Sequence, residues 1–104
     1  MLINRAFINP EPRRKINDMK YQNMDLLNKC VGNAISILRN NQGMTGKQLG
    51  LAIGLSQQQI SRYENGLSGI TVDICYRITL VLQVTIDVFF SLVEELYYQL
   101  SVLK

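Results

Sequence analysis

Four side chains able to read the edge of a base pair, Gln57, Gln58, Ser61 and Arg62, lie within six consecutive positions of this sequence. A glutamine amide pairs bidentately with adenine N6 and N7, an arginine guanidinium with guanine O6 and N7, and a serine hydroxyl serves either kind of partner. On a helix Gln57 neighbours Ser61 and Gln58 neighbours Arg62 at a spacing of i,i+4, so the four make one polar face. The glutamines open that helix, and the start of a recognition helix is the part that contacts base edges in the major groove. Without a docking partner the same four residues would be an ordinary solvated surface. The elements that must hold them decide between the two readings.

Thr45-Gly46-Lys47-Gln48 has the spacing of a capping box, in which the threonine hydroxyl accepts from the third helical amide and the glutamine reaches back. Ser56-Gln57-Gln58-Gln59 repeats the signature eleven residues later, which makes Gln59 a capping partner rather than a reader. Gly54 lies between as the left-handed residue that ends the first short helix, and Asn65-Gly66 closes the second. Two capped helices joined by a tight turn describe a helix-turn-helix over Thr45 to Gly66. Gly50 leaves room for the crossing helix, and Leu49, Ala52, Ile60 and Tyr63 are expected in the shared core. Gly46, Gly50 and Gly54 also form a GxxxGxxxG run, but Lys47, Gln48 and the polar residues after Leu55 make a membrane helix pair a remote reading.

Outside the motif, Met24, Leu27, Val31, Ala34, Ile35 and Leu38 recur at steps of three and four and predict an amphipathic helix ended by Gln42-Gly43. Thr71 and Thr85 are candidate caps for two further helices, each with an aspartate, Asp73 or Asp87, in its first turn. Ile74, Ile78, Val81 and Leu82 give the fourth helix its buried face. The last helix carries Phe89, Leu92, Val93, Leu96, Leu100 and Leu103 at helical steps. No strand pattern competes, so the fold class is all-α. One short domain is not expected to bury that whole stripe, which makes Phe89, Leu92, Val93, Leu96 and Leu100 a candidate dimer interface; the alternative is a helix folded back on its own monomer. A two-fold homodimer would also bring two reading helices to half-sites one DNA turn apart.

Composition bounds the rest. The chain has 104 residues, 47% hydrophobic and 18% charged, with a net charge of +3. Residues 1–68 carry +5 and residues 69–104 carry −2, so an anionic partner would meet the first two-thirds. The expected organisation is a basic N-terminal arm or lead-in over residues 1–22, a helix-turn-helix domain over 23–90, and a C-terminal helix over 85–104 as a candidate dimerisation element. Arg13-Arg14-Lys15 is either a minor-groove arm or a solvated segment. Cys30 and Cys75 have no CxxC spacing and the chain contains no histidine, so they read as buried reduced thiols and no metal is expected. The lack of an imidazole base or a phosphate-cradling glycine loop, with Glu94 and Glu95 diverging on their helix, argues against an enzyme, a catalytic residue or a cofactor. No small-molecule ligand is expected. The apolar run 78–93 is interrupted by Gln83 and Asp87 and falls short of a span of about 20 residues. With no apolar leader at the start, a cytoplasmic protein without a membrane partner is expected.

Over residues 31–90 the stretches VGNAISILRNNQGMT, KQLGLAIGLSQQQISRYENG and ITVDICYRITLVLQVTIDVFF resemble the Cro/phage-repressor (XRE) class. SQQQISRYENG is the most specific part, and with the short chain and extra C-terminal helix it also resembles the MrpJ-type regulators of enterobacterial fimbrial operons. The resemblance implies a five-helix lambda-repressor-like domain with an extended C-terminal helix. It implies that Gln57 and Gln58 enter the groove, that Ser61 and Arg62 read bases or flanking backbone, that Asn65 touches phosphate, and that Arg39 and Glu64 form a structural ion pair. The family commonly has a glutamine at the first position of the second helix, where this chain has Gly46. Backbone contacts would then come from Thr45, Gly46 and Lys47 at the helix N-terminus and from Ser56. The implied function is a nucleoid-associated regulator that binds an inverted-repeat operator in double-stranded DNA as a dimer, represses by occupancy, and controls motility and fimbrial genes. The rivals are an antitoxin whose last helix covers a toxin, and a protein-interaction module that keeps the fold without binding DNA.

Overall fold

Local capping chemistry sets the helix boundaries in the computed structural model, which describes residues 24–102. Five helices form: α1 (Met24–Asn41), α2 (Gly46–Ile53), α3 (Gln57–Glu64), α4 (Val72–Val81) and α5 (Ile86–Val102). The described residues contain no strand. The four hydroxyl residues Thr45, Ser56, Thr71 and Thr85 each accept from the amide three positions on, at 3.0 to 3.2 Å, so α2 to α5 start alike. The full reciprocal box forms only at α2, where the Thr45 amide also donates to Gln48 Oε1 at 2.8 Å. At α3 only the Ser56 half of the expected box is present.

The helix ends share a device too. After α2, Gly54 takes φ 78°, and the Leu55 amide donates back to the Gly50 carbonyl at 2.8 Å. After α4 the same turn is made without glycine: Gln83 sits at φ 60°, and the Val84 amide donates to the Thr79 carbonyl at 3.1 Å. Glycine adopts that left-handed backbone freely, whereas a side chain there is strained.

α2 and α3 pack on each other, α3 crosses α1, α1 runs against α5, and α4 bridges α2 and α5. One core results, built from Cys30, Ala34 and Ile35 of α1, Leu49 and Ile53 of α2, Ile60 and Tyr63 of α3, Cys75 and Ile78 of α4 with Leu82 after it, and Phe89 and Val93 of α5. Each large apolar side chain so buried contributes about 1.5–3 kcal/mol. The cysteines are free, and burial pushes both thiols up, so they stay protonated. Buried Thr79 donates its hydroxyl to the Tyr76 carbonyl at 2.7 Å and leaves no unsatisfied polar atom.

Three expectations need correcting. Leu27, expected on the apolar face of α1, is 45% exposed, and its neighbour Leu26 packs on the core instead. Ala52 is exposed, and Ile53 takes the core position, because α2 presents its Leu49, Gly50 and Ile53 edge to the other helices. Phe89 and Val93 are 0% and 3% exposed, packed in their own domain, so they cannot meet a second copy. The reason is α1, which covers that side of α5. Leu92, Leu96 and Leu100 are half-buried beside them.

Among the described residues no single helix is long and apolar enough to cross a membrane, and α4 and α5, which share the apolar run 78–93, are bent by 105°. The basic segment 1–22, with Arg13-Arg14-Lys15, lies outside the described residues, as does Leu103.

Candidate nucleic-acid interface

α3 is short and polar, so its orientation depends on its anchors. Ile60 and Tyr63, three apart, are buried at 1% and 8% exposure. Gln57, Gln58, Ser61 and Arg62 are exposed together on the remaining surface, while Gln59 is half-buried. The helix therefore holds one face in the core and presents the four polar side chains on the other.

Two further contacts fix it. Arg39 at the end of α1 forms a forked pair with Glu64 at the end of α3, Nε to Oε2 at 2.7 Å and Nη2 to Oε1 at 2.9 Å. Its remaining arm, Nη1, donates to the Met44 carbonyl at 2.7 Å, so one guanidinium ties together α1, the turn into α2 and the end of α3. Both side chains of the pair are only 14% exposed. The hydrogen bond to Glu64 raises the Arg39 pKa further, against the lowering effect of burial, and the group is charged at every ordinary pH.

The second contact is Gly32, inside α1, which sequence reasoning missed. A Cβ at Gly32 would collide with the Tyr63 carbonyl oxygen and lie 2.6 Å from that of Glu64. α3 crosses α1 at backbone contact there. The available signal was an interior helix glycine, which costs about 1 kcal/mol against alanine and so calls for a packing reason.

At the start of α2 the candidate backbone contacts divide. Thr45 and Lys47 are exposed and Gly46 is half-buried. The Thr45 amide is committed to Gln48 Oε1, which corrects the expectation that it is free for phosphate; the amides of Gly46 and Lys47 and the Thr45 hydroxyl proton remain. The Ser56 hydroxyl, accepting from the Gln59 amide, likewise keeps its proton for an outside acceptor. A Cβ at Gly46 would rest 3.7 Å from Ile60 Cγ2, an ordinary contact, so the packing has room for a first side-chain carbon there.

Asn65 behaves differently from expectation. Its Nδ2 donates to the Ser61 carbonyl at 2.8 Å and lies 3.3 Å from Ser61 Oγ. The nitrogen that would hold a phosphate is thus turned back onto α3 in this structure.

Among the described residues no group of three or more histidine, cysteine or acidic side chains could hold a metal ion. A family model described as helix-turn-helix matches residues 35–89, from the middle of α1 to the first turn of α5. No curated protein matches the chain.

Proposed function

The chain belongs to the helix-turn-helix family, whose domain is a DNA-binding regulatory one, and on that premise we propose that it binds an inverted-repeat operator as a homodimer and represses transcription by occupying promoters. The observation that carries the reading is the α3 face: Gln57, Gln58, Ser61 and Arg62 are exposed together on a helix whose other side is locked by Ile60, Tyr63 and the Arg39–Glu64 fork. These side chains supply sequence preference. Lys47, Ser56 and the Gly46 and Lys47 amides supply phosphate contacts and salt-sensitive affinity.

In this proposal residues 23–90 form the DNA-binding domain, residues 85–104 its dimerisation helix, and residues 1–22 a basic arm. The dimer contact falls to Leu92, Leu96 and Leu100, with exposed Val88 one turn before Leu92. The resemblance to regulators of fimbrial operons extends the proposal to motility and adhesion promoters, with the protein acting in the nucleoid.

Fluorescence anisotropy with promoter-sized duplexes across a salt series tests the reading. The expected result is preference for particular duplexes and affinity that falls steeply with salt. Equal weak binding to every duplex would overturn it. For the dimer, Val88→Glu places a charge on the half-exposed flank of α5 without entering the core. It is expected to shift sedimentation to the monomer and to weaken operator binding.

A second reading, an antitoxin with a protein partner, has one observation in its favour. Val72, Tyr76 and Leu80 step along the outer side of α4 at 82%, 53% and 59% exposure, a second apolar surface besides the flank of α5. Co-purification of a small partner with the native protein would favour it.

A further inference from the structure

A serine hydroxyl that is free to rotate donates or accepts as its partner requires, and so discriminates poorly between base edges. Ser61 is not free in this way. The Nδ2 of Asn65, one helical turn on, is 2.8 Å from the Ser61 carbonyl and 3.3 Å from its Oγ. A backbone carbonyl only accepts, so the amide nitrogen of Asn65, and not its oxygen, must face Ser61. With the carbonyl taking the shorter bond, the second amide proton is the one within reach of Oγ. Accepting it occupies one of the two lone pairs of Oγ, turns the hydroxyl proton away from Asn65 and polarises that hydroxyl as a donor. Thr79 illustrates the opposite arrangement, with its hydroxyl proton spent on the Tyr76 carbonyl inside the core. Ser61 is exposed, on the face with Gln57, Gln58 and Arg62.

We infer that Asn65 is a positioning residue that holds the Ser61 hydroxyl as a donor toward DNA, so that Ser61 selects an acceptor edge (thymine O4, guanine O6 or a purine N7) against an amino group of adenine or cytosine. The inference rests on the DNA-reading proposal above and adds the polarity of one contact. It also competes with a phosphate role for Asn65, because an amide proton given to Ser61 is not available to a phosphate.

The test is a double-mutant cycle in base discrimination, using the full chain and a duplex series in which each operator base pair is replaced in turn. Ser61→Ala is expected to lose about threefold to tenfold of discrimination at one base pair, the scale of a single hydrogen bond. Asn65→Ala is expected to lose most of the same discrimination at the same base pair, with an unchanged salt slope, and the double variant no more than Ser61→Ala alone. Independent, additive losses would overturn the inference. So would a uniform loss over all duplexes with a shallower salt slope, the signature of a phosphate ligand.

Thermal melting identifies a variant that fails to fold. If Asn65→Ala does, Asn65→Asp carries the test, because a carboxylate takes the Ser61 proton and removes the donor. Preference at that base pair then disappears relative to all others, although overall affinity also falls from charge repulsion. Retention of the wild-type preference profile in Asn65→Asp would overturn the inference. A wild-type protein with no preference for any duplex overturns this inference and the proposed function together, whereas a selective wild-type protein with an additive cycle overturns this inference alone.

Discussion

Helices α2 and α3 are both eight residues long, start at the same kind of hydroxyl cap and pack against each other, yet they spend their polar groups in opposite ways. α2 spends them inward. Its Thr45 amide donates to the Gln48 side chain while the Thr45 hydroxyl accepts from the Gln48 amide, and its outer surface carries Lys47, Leu51 and Ala52. α3 closes only the Ser56 half of its cap and leaves two glutamines, a serine and an arginine facing out. Similar caps thus yield a brace in one helix and, in the other, an exposed polar face that the proposal makes the reading surface. What distinguishes them is the anchoring behind: α3 is held by Ile60, Tyr63, Gly32 and the Arg39 fork, so its exposed side chains need no part in holding it.

Removing the anchor should erase that difference most strongly. Arg39→Ala leaves the Glu64 carboxylate and the Met44 carbonyl without their donor at a site only 14% exposed. A loss of about 3 kcal/mol in urea unfolding is expected, the lower end for breaking a buried pair. Gly50→Ala strikes the brace instead: the added Cβ would sit 2.5 Å from the Leu55 carbonyl oxygen, and the turn must open. Overpacking of this kind costs about 1–3 kcal/mol, partly offset by alanine's better helix propensity, so a net loss of about 1–2 kcal/mol in melting experiments is expected.

Changes on the outer face should instead leave stability alone. Arg62→Ala is expected to keep the wild-type melting temperature and to weaken specific duplex binding by about 1–2 kcal/mol, measured by anisotropy. A fall in stability with unchanged affinity would make Arg62 part of the brace. The smallest effect sharpens the comparison from the other side. Gly46→Gln introduces a side chain whose Cβ meets Ile60 at ordinary contact distance. It is expected to add about 0.5–1 kcal/mol of stability through helix propensity and, by supplying a side-chain clamp, to raise affinity for all duplexes alike.

What was legible in the sequence follows the range of the interactions. Caps span three residues, and Thr45, Ser56, Thr71 and Thr85 could each be read from the chain alone, together with the helices they start. The choice between Ala52 and Ile53 could not, since steps of three and four from Leu49 are equally helical and only the packing of α2 selects Ile53. Phe89 and Val93 looked free to join a dimer because the helix that covers them, α1, lies some fifty residues earlier in the chain. Arg39 and Glu64, 25 residues apart, were paired only through family resemblance. Gly32 needed the Tyr63 carbonyl, which no local pattern contains. The Asn65 contact is local, only four residues long, but it was hidden by the phosphate role the resemblance implied.

The central claim is that the exposed face of α3 carries sequence preference while the rest of the domain carries fold and backbone affinity. Selection from random duplexes with the wild-type protein and with the combined Gln57→Ala, Gln58→Ala, Ser61→Ala, Arg62→Ala variant tests it most directly. The expected result is a defined motif for the wild type, and for the variant a wild-type fold by circular dichroism, residual salt-sensitive binding and no motif. Recovery of the same motif by the variant, or of none by the wild type, would contradict it.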